Sequence, residues 1–247
     1  MEHAHTFFHE NRIYKQKLNG LPDLTMSDEE IALWILKGGH GNWLELDLQI
    51  DVAKWFNEYQ GVQNMFVAHR DGDTGEGTHQ GWNSCTLHGI SHDKTNVWQT
   101  YDYEKEPEYS WTSAGKKCPN IQSVFESLPA ENLARVRFMK LDSDGWISPH
   151  NDGGPGLDWN NIFDHPLPIN IAVEHPHNCI MSIKESGAVP FENGKSFLVN
   201  ILNDHSVINF STKDRIHVIG HLLVGNRKAE YCSFLANSYR KAYVLQR

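Results

Sequence analysis

The spacing of apolar residues changes about a quarter of the way along the chain. Before residue 60, apolar positions recur at the spacing of an amphipathic helix. A helix is predicted to begin at Ser27, where Ser27-Asp28-Glu29-Glu30 is typical of a capping box ahead of the apolar run Ile31–Leu36. A second helix is predicted over Gln49–Tyr59. These segments predict a helical N-terminal extension over residues 1–60.

Most of the chain after residue 60 has the pattern of short strands. β-Branched and aromatic residues form short clusters, each bounded by Gly, Pro, Asn or Asp. The predicted strands are Gln63–His69, Asn83–Ile90, Arg135–Leu141, Ile169–Val173, Cys179–Ile183, Ser196–Leu202, Ser206–Phe210 and Arg215–Leu223. Helices are predicted over Asn120–Leu128 and over residues 228–243. Evenly spaced short strands favour an antiparallel sandwich or barrel with helices packed against it.

Two turns are predicted within this strand-rich region. Asp144-Gly145 is a favourable hairpin dipeptide, so the strand Arg135–Leu141 is expected to turn there. Ser211–Asp214 is expected to close a second hairpin, which would bring Arg215 beside His205 on a partner strand.

Charge and cysteine spacing weigh against several classes of protein. The formal net charge of −9 argues against general binding to nucleic acid or to a membrane surface, which requires a basic face. No apolar run reaches the roughly 20 residues that span a bilayer, and the N-terminal residues lack the pattern of a signal peptide. The four cysteines form no CxxC pair, as expected for reduced thiols. A single cytoplasmic domain over residues 1–247 is therefore expected; the oligomeric state is not predicted.

A histidine and an aspartate two residues apart are the first candidate metal ligands. His150 and Asp152 project to the same side of an extended chain, so both can reach one ion. His205, which opens a later strand, would complete a set of two nitrogen donors and one oxygen donor. Such a set leaves three coordination positions open and is typical of non-haem Fe(II). Ten residues beyond His205, the guanidinium of Arg215 is suited to bind the distal carboxylate of 2-oxoglutarate.

The order of these motifs resembles the aspartyl/asparaginyl β-hydroxylase-like branch of the 2-oxoglutarate oxygenases. The resemblance covers roughly residues 80–222 and rests on six segments. These are Gly81–Ser84, Arg137–Leu141, Gly145–Asp152, Gly194–Phe197, His205–Asn209 and Arg215–His217. It implies a mainly β fold with flanking helices around a double-stranded β-helix core, also called a jelly-roll or cupin-like core.

The resemblance also implies a cofactor set and a ligand set. Fe(II), 2-oxoglutarate and O2 are expected, with ascorbate a candidate reductant. His150, Asp152 and His205 would bind the iron, and the presence of Asp152 favours hydroxylation over halogenation. Members of this branch usually have an Arg-x-His pair on the strand after the metal loop. Here the chain reads Pro168-Ile169-Asn170, so Asn170 is expected to give the co-substrate one weaker hydrogen bond.

The implied reaction is hydroxylation of a C–H bond of an amino acid, either free or within a peptide or protein. The substrate is thus expected to be a small molecule or a polypeptide, and nucleic acid is disfavoured by the charge. Candidate substrate-binding residues are Arg70, Trp82, His88, Arg137 and Trp159. Residues 153–166 follow the metal pair directly and are long for a hairpin, which makes them a candidate lid.

Two other classes of function compete with this interpretation. A cupin-like metal-binding protein or isomerase would use the same barrel without 2-oxoglutarate and would not need Arg215. A non-catalytic β-sandwich would leave His150 and Asp152 as ordinary surface residues. A rival metal pair, His175-Pro176-His177, is expected to be a solvated turn, and His217 is expected to pack in the core.

Overall fold

The structure, a computed structural model, describes residues 1–16, 25–39, 41–69, 79–95, 109–152, 163 and 168–245, with side chains described as far as residue 242. Within them the helices are α1 Glu2–Asn11, α2 Asp28–Leu36, α3 Val52–Val62, α4 Pro119–Ser127 and α5 Lys228–Leu245. The strands are β1 Trp43–Glu45, β2 Val67–Ala68, β3 His79–Gly89, β4 Ser110–Trp111, β5 Asn132–His150, β6 Ile169–Glu174, β7 Cys179–Ile183, β8 Gly187–Ala188, β9 Ser196–Val199, β10 His205–Asn209 and β11 Arg215–Leu223.

The helices form largely where local signals predict them. At the start of α2, the Ser27 hydroxyl accepts the Glu30 backbone N–H, and the Glu30 carboxylate accepts the Ser27 N–H at 2.8 Å, which completes the predicted capping box. Helix α1 was not predicted. It buries a narrow face that includes Ala4, Phe7 and Asn11, and it packs against β5, β7 and β10. The narrow apolar face explains why the sequence pattern there is weak.

The strands form one antiparallel sheet that curls into a half-barrel. Its hydrogen-bonded order is β1-β9-β6-β11-β5-β10-β7-β8, and β3 joins β5 on its other edge. Strand β5 is long enough to pair with β11 through its first half and with β10 through its second half. This shared strand connects the two halves of the sheet, as in a jelly-roll, which confirms the predicted fold class.

The predicted turn at Asp144-Gly145 is wrong. Strand β5 continues through it to His150, and Asp144 adopts a left-handed conformation with φ 57° that bends the strand without reversing it. The bend lies where β5 changes partner, between Leu141 opposite Arg215 and Trp146 opposite Ile208. A favourable turn dipeptide therefore serves as a corner of the half-barrel.

The predicted hairpin across Ser211–Asp214 is also wrong. Strands β10 and β11 both run antiparallel to β5, so the chain continues in one direction through this connection. The connection is held opposite the bend in β5, because Asn209 Nδ2 donates to the carbonyls of Leu141 and Asp142 and Ser143 N–H donates to Asp214. His205 and Arg215 consequently face different parts of β5 rather than each other.

Apolar side chains fill both sides of the sheet. The larger cluster joins the helices to its outer face and includes Ile31, Trp55, Phe138 and Tyr231. A second cluster lines the inside of the half-barrel with Leu141, Ile147, Met181, Phe191, Phe197 and Val207, among others. The inner cluster forms the dry surroundings of the polar groups described below. Within the described residues, no helix combines the length and the apolarity needed to cross a membrane.

Candidate metal centre

Three predicted ligands meet at one edge of the half-barrel. His205, the first residue of β10, lies directly opposite His150, the last residue of β5, and their ring centroids are 4.3 Å apart. Asp152 follows β5 by two residues, and its Oδ1 lies 3.9 Å from His150 Nε2. The candidate ligand atoms of the three residues lie within 4.8 Å of one another, and no other group of this kind occurs in the described residues. The structure thus brings His150, Asp152 and His205 to positions from which all three can bind one ion.

Backbone hydrogen bonds orient both imidazoles toward such an ion. His150 Nδ1–H donates to the Ser148 carbonyl at 2.8 Å, and His205 Nδ1–H donates to the Asn203 carbonyl at 3.0 Å. Because a carbonyl can only accept, each ring carries a proton on Nδ1, and Nε2 is the nitrogen that can bind a metal. Burial, followed by the neighbouring His150, lowers the pKa of His205 to about 4, so this ring is neutral at neutral pH.

The segments that carry the ligands are tied together. Asn151, between His150 and Asp152, donates through Nδ2 to Asp204 Oδ1 at 2.9 Å, and Asp204 also accepts from Lys184 Nζ at 3.2 Å. The Asp152 N–H donates to the Ile201 carbonyl at 2.9 Å. These bonds hold the end of β5 against the turn before His205, so the spacing of the three ligands is set before a metal binds.

Aromatic side chains from β3 and the residues before it lie next to the candidate metal centre. The Trp82 ring is 6.2 Å from the His150 ring, 4.2 Å from His69 and 5.7 Å from His79, all between centroids. His69 Nδ1 and Ser84 Oγ share a hydrogen bond of 2.8 Å. Trp82 was among the predicted substrate residues, whereas His69 and His79 were not, because no local pattern shows that their rings contact Trp82. His69 is brought to Trp82 by the pairing of β2 with β3.

Two predicted substrate residues lie far from the metal ligands. His79 at the start of β3 pairs with Ile147, near the metal end of β5, whereas His88 pairs with Val136. Nine residues of strand separate His79 from His88, or about 30 Å of contour length. Arg137 lies at the same remote end of β5, and its Nη1 donates to the Thr95 carbonyl at 2.6 Å. His88 and Arg137 therefore lie at the opposite end of the sheet from the three candidate ligands, and their contact with a substrate stays a prediction.

Arg70, Trp159 and the candidate lid over 153–166, apart from Phe163, lie outside the described residues. Phe163 packs edge to face on Tyr231 of α5, with ring centroids 6.4 Å apart.

Arg215 lies inside the half-barrel with an unusual set of neighbours. Its side chain is buried, and Nη2 lies 2.9 Å from His217 Nδ1. Its Nε has no hydrogen-bond partner among the described residues. The surface ion pair with Asp214 that would have been the ordinary alternative does not form, since Asp214 accepts from Lys140 at 3.2 Å instead. A buried guanidinium with an unused donor is a receptive site for a carboxylate.

His217, Asn170 and His175 complete the surroundings of Arg215. His217 is fully buried, and its Nδ1 also lies 2.7 Å from Asn170 Oδ1. Its Nε2 lies 2.9 Å from Nδ1 of His175, the residue that follows β6. His217 lies in the core, as its sequence position predicted. His175 was predicted to lie in a solvated turn, but its ring is turned inward against His217. Cross-strand register between β6 and β11 creates this cluster, so spacing along the chain could not reveal it.

Donor chemistry and fold together define a class of protein. Two imidazole nitrogens and a carboxylate at the edge of a jelly-roll match the facial set of non-haem Fe(II) oxygenases. A sequence profile of the family described as aspartyl/asparaginyl beta-hydroxylase matches residues 57–223, and the chain belongs to this family. It is thus an Fe(II)- and 2-oxoglutarate-dependent oxygenase of the hydroxylase type, with O2 as the oxidant.

Two solved structures are similar to this chain, and the first of them supports its fold. A prolyl hydroxylase from Trichoplax adhaerens, solved with a peptide fragment of a hypoxia inducible factor oxygen degradation domain, is similar at 10% identity and a TM-score of 0.50. The match covers 84% of this chain and 98% of that chain. An oxidoreductase of the 2OG-Fe(II) oxygenase family from Burkholderia pseudomallei is similar at 9% identity, with 80% and 90% coverage and a TM-score of 0.46. No curated protein matches the sequence.

Proposed function

We propose that this protein hydroxylates an unactivated C–H bond of an amino acid, free or within a peptide, with iron held by His150, Asp152 and His205. The observation that carries the proposal is the meeting of two imidazoles, each with Nδ1 bonded to a backbone carbonyl and Nε2 left for a metal, beside one carboxylate. Membership of the aspartyl/asparaginyl hydroxylase family supports the reaction type. The name of that family and the similarity to a prolyl hydroxylase support an amino-acid substrate.

When bound, iron and co-substrate supply the oxidation: one O2 and one 2-oxoglutarate become succinate, CO2 and the oxygen atom that converts C–H to C–O–H. The contribution of the chain is geometric and electrostatic. His150 and His205 offer lone pairs in a fixed direction, and Asp152 offers a negative charge that matches the cation. The apolar interior around Leu141, Ile147 and Val207 limits access of water to the reacting centre.

The second part of the proposal concerns the co-substrate. Arg215 would bind the distal carboxylate of 2-oxoglutarate, since its Nε is buried and unpartnered among the described residues. The ion pair would also supply the countercharge that the buried guanidinium otherwise lacks. Asn170, in the same cluster, would contribute through its amide, as expected for the position where the family pattern has histidine.

The substrate side of the site is proposed to include Trp82. Its ring borders the His150 ring, and it lies on β3, which pairs with β5 from Val136 to Ile147. A flat apolar face beside the metal suits the aliphatic side chain or ring of an amino acid, because it aligns the C–H bond without competing for the iron.

A turnover assay tests the proposal. The protein is purified without metal, loaded anaerobically with Fe(II), and exposed to O2 with 2-oxoglutarate and a panel of free amino acids and short peptides. Succinate release and an added mass of one oxygen atom on one panel member are the expected results. His150→Ala and Arg215→Ala should lose both signals, whereas His177→Ala and Arg12→Ala, at exposed positions, should retain them.

The controls separate the competing functions. Tight Fe(II) binding without any consumption of 2-oxoglutarate, coupled or uncoupled, would favour the cupin-like alternative. Succinate release that survives His150→Ala would contradict the proposed ligand set.

A further inference from the structure

A chain of buried polar groups leads from Arg215 to the surface end of β6. Arg215 Nη2 contacts His217 Nδ1 at 2.9 Å, and His217 Nε2 contacts His175 Nδ1 at 2.9 Å. The Cys179 backbone hydrogen-bonds the His175 ring in turn. The Phe191 ring covers both imidazoles, with centroids 4.6 Å from His217 and 5.4 Å from His175. These hydrogen-bonded groups link β11 to the connection between β6 and β7.

Chemistry fixes the direction of every hydrogen bond in this chain. A guanidinium can only donate, so His217 Nδ1 must accept and must be unprotonated. Neutral His217 then carries its proton on Nε2 and donates it to His175 Nδ1. Asn170 also lies 2.7 Å from Nδ1, and it can donate there only when its NH2 group takes the position assigned to Oδ1. Each group in the chain thus holds the next in one orientation.

The electrostatic surroundings keep both imidazoles neutral. Burial, followed by the Arg215 charge, lowers the pKa of His175 to about 4. The same two causes, with His175 as a third, lower the pKa of His217 well below its ordinary value. A second positive charge beside the buried guanidinium is therefore strongly disfavoured, and the acceptor at Nδ1 persists at neutral pH.

We propose that His217, supported by His175, is a positioning residue that orients Arg215 for the distal carboxylate of 2-oxoglutarate. This inference rests on the function proposed above. Asn170 stands where members of the family usually have the histidine of an Arg-x-His pair, and here the imidazole beside Arg215 comes from β11 instead of β6. With one Nη nitrogen held by His217, the guanidinium cannot rotate freely, and its Nε edge stays available to the ligand.

The alternative is that the two histidines only fill space in the core. The space-filling role and the positioning role predict different effects on how the site distinguishes 2-oxo acids with and without a distal carboxylate. A space-filling role would weaken binding of every 2-oxo acid to a similar degree or lower stability alone. A positioning role would selectively weaken binding of an acid that carries the distal carboxylate.

The test uses the full chain loaded with Mn(II), which does not turn over. Dissociation constants are measured by calorimetry for 2-oxoglutarate and for 2-oxovalerate, which has the same length but ends in a methyl group. Wild-type protein should prefer 2-oxoglutarate, and Arg215→Leu should abolish the preference. His217→Leu should lower the preference roughly tenfold, the size expected for losing a hydrogen bond to a charged group. His217→Gln, which offers a carbonyl oxygen to Arg215, should restore most of it.

The outcomes distinguish this inference from the function on which it rests. If Arg215→Leu abolishes the preference and His217→Leu leaves it intact, the positioning role is wrong and the proposed function stands. If Arg215→Leu itself has no effect, the co-substrate assignment fails first. His175→Leu, at a less buried position, gives a second test with a smaller expected loss, and Mn(II) affinity unchanged within about twofold shows that each variant remains folded.

Discussion

Individual side chains define this site through their protonation states. His150 and His205 each donate from Nδ1–H to a backbone carbonyl, which leaves Nε2 for a metal. His217 and His175 instead pass a hydrogen bond from one ring to the other, beside the positive charge of Arg215. The hydrogen-bond partners of these four histidines therefore distinguish two roles. Two of the rings offer Nε2 to a metal, and the other two hydrogen-bond each other beside Arg215.

Acid should destabilise the protein through His175 and His217, which lie inside the half-barrel beside Arg215. His175 has a folded pKa of about 4, whereas an unfolded histidine titrates near 6.5. The unfolded chain then binds the proton more readily, so stability present above about pH 6.5 is lost as the pH falls toward 4. The loss from this one residue is on the order of 3 kcal/mol. Urea unfolding at several pH values should show a shallower decline for His175→Leu than for the wild type or for His177→Leu, and equal slopes would contradict the assignment.

At the residue scale, spacing together with the resemblance of the surrounding motifs to a known family predicted His150, Asp152 and His205 as candidate metal ligands, and the structure brings these three side chains together. His150 and Asp152 lie two apart, and His205 opens a strand, so the alternation of side chains along a strand carries the information. The pair His175 and His217 could not be found this way. Their contact depends on the register between β6 and β11 and on an inward turn of the His175 ring, neither of which leaves a local signal.

At the scale of elements, the corner in β5 decides where the site forms. Gly145 lies within that corner, and a Cβ there would come within 2.7 Å of the Asp142 carbonyl oxygen and 2.9 Å of the Gln80 carbonyl oxygen. The bend also sets the exchange of partners from β11 to β10. Local rules predicted a turn at Asp144-Gly145 because they do not include the partner strands that hold the chain extended on both sides.

Gly145→Ala should destabilise the protein by about 2 kcal/mol or more, because both close neighbours are backbone atoms that cannot move aside easily. Gly61→Ala is a matched control, since no atom lies within 4 Å of its added Cβ and it lies in α3. That control should be neutral or stabilising by up to about 1 kcal/mol. Denaturant unfolding measures both, and a tolerated Gly145→Ala would mean that the corner is not tightly packed.

The hydrogen bond between Asn151, which follows β5, and Asp204, which precedes β10, gives a second prediction at this scale. Asn151→Ala removes the bond to Asp204 and should weaken Mn(II) binding several-fold, toward the lower end of the 10- to 100-fold range of outer-sphere partners because the bond is exposed. Asn178→Ala, also exposed, is the control and should have no effect. Equal Mn(II) affinities in a calorimetric titration would show that the ligand geometry does not depend on this bond.

At the scale of the whole molecule, the spacing and length of the predicted strands indicated the fold class, but they did not indicate which strands pair. Strand-rich spacing indicated a barrel or sandwich, and β7 and β11 have the predicted bounds. Which strands pair, and the docking of α1 on the inner strands, depend on contacts between residues far apart in sequence. We propose that the described residues act as one domain, because one apolar cluster joins α2, α3, β5 and α5.

One domain should unfold in one step. Tryptophan fluorescence and circular dichroism should give the same urea midpoint, since the apolar cluster that contains Trp55 also contains residues of the sheet. Separate transitions would show that the helices and the half-barrel are independent units.

The most direct test of the central claim is the stoichiometry of Fe(II) binding under anaerobic conditions. Wild-type protein and His177→Ala should each bind one Fe(II) per chain, whereas His150→Ala and His205→Ala should lose tight binding, because neither remaining pair of ligands fixes the ion. Tight binding of one Fe(II) by both His150→Ala and His205→Ala would contradict the proposed centre and the function built on it.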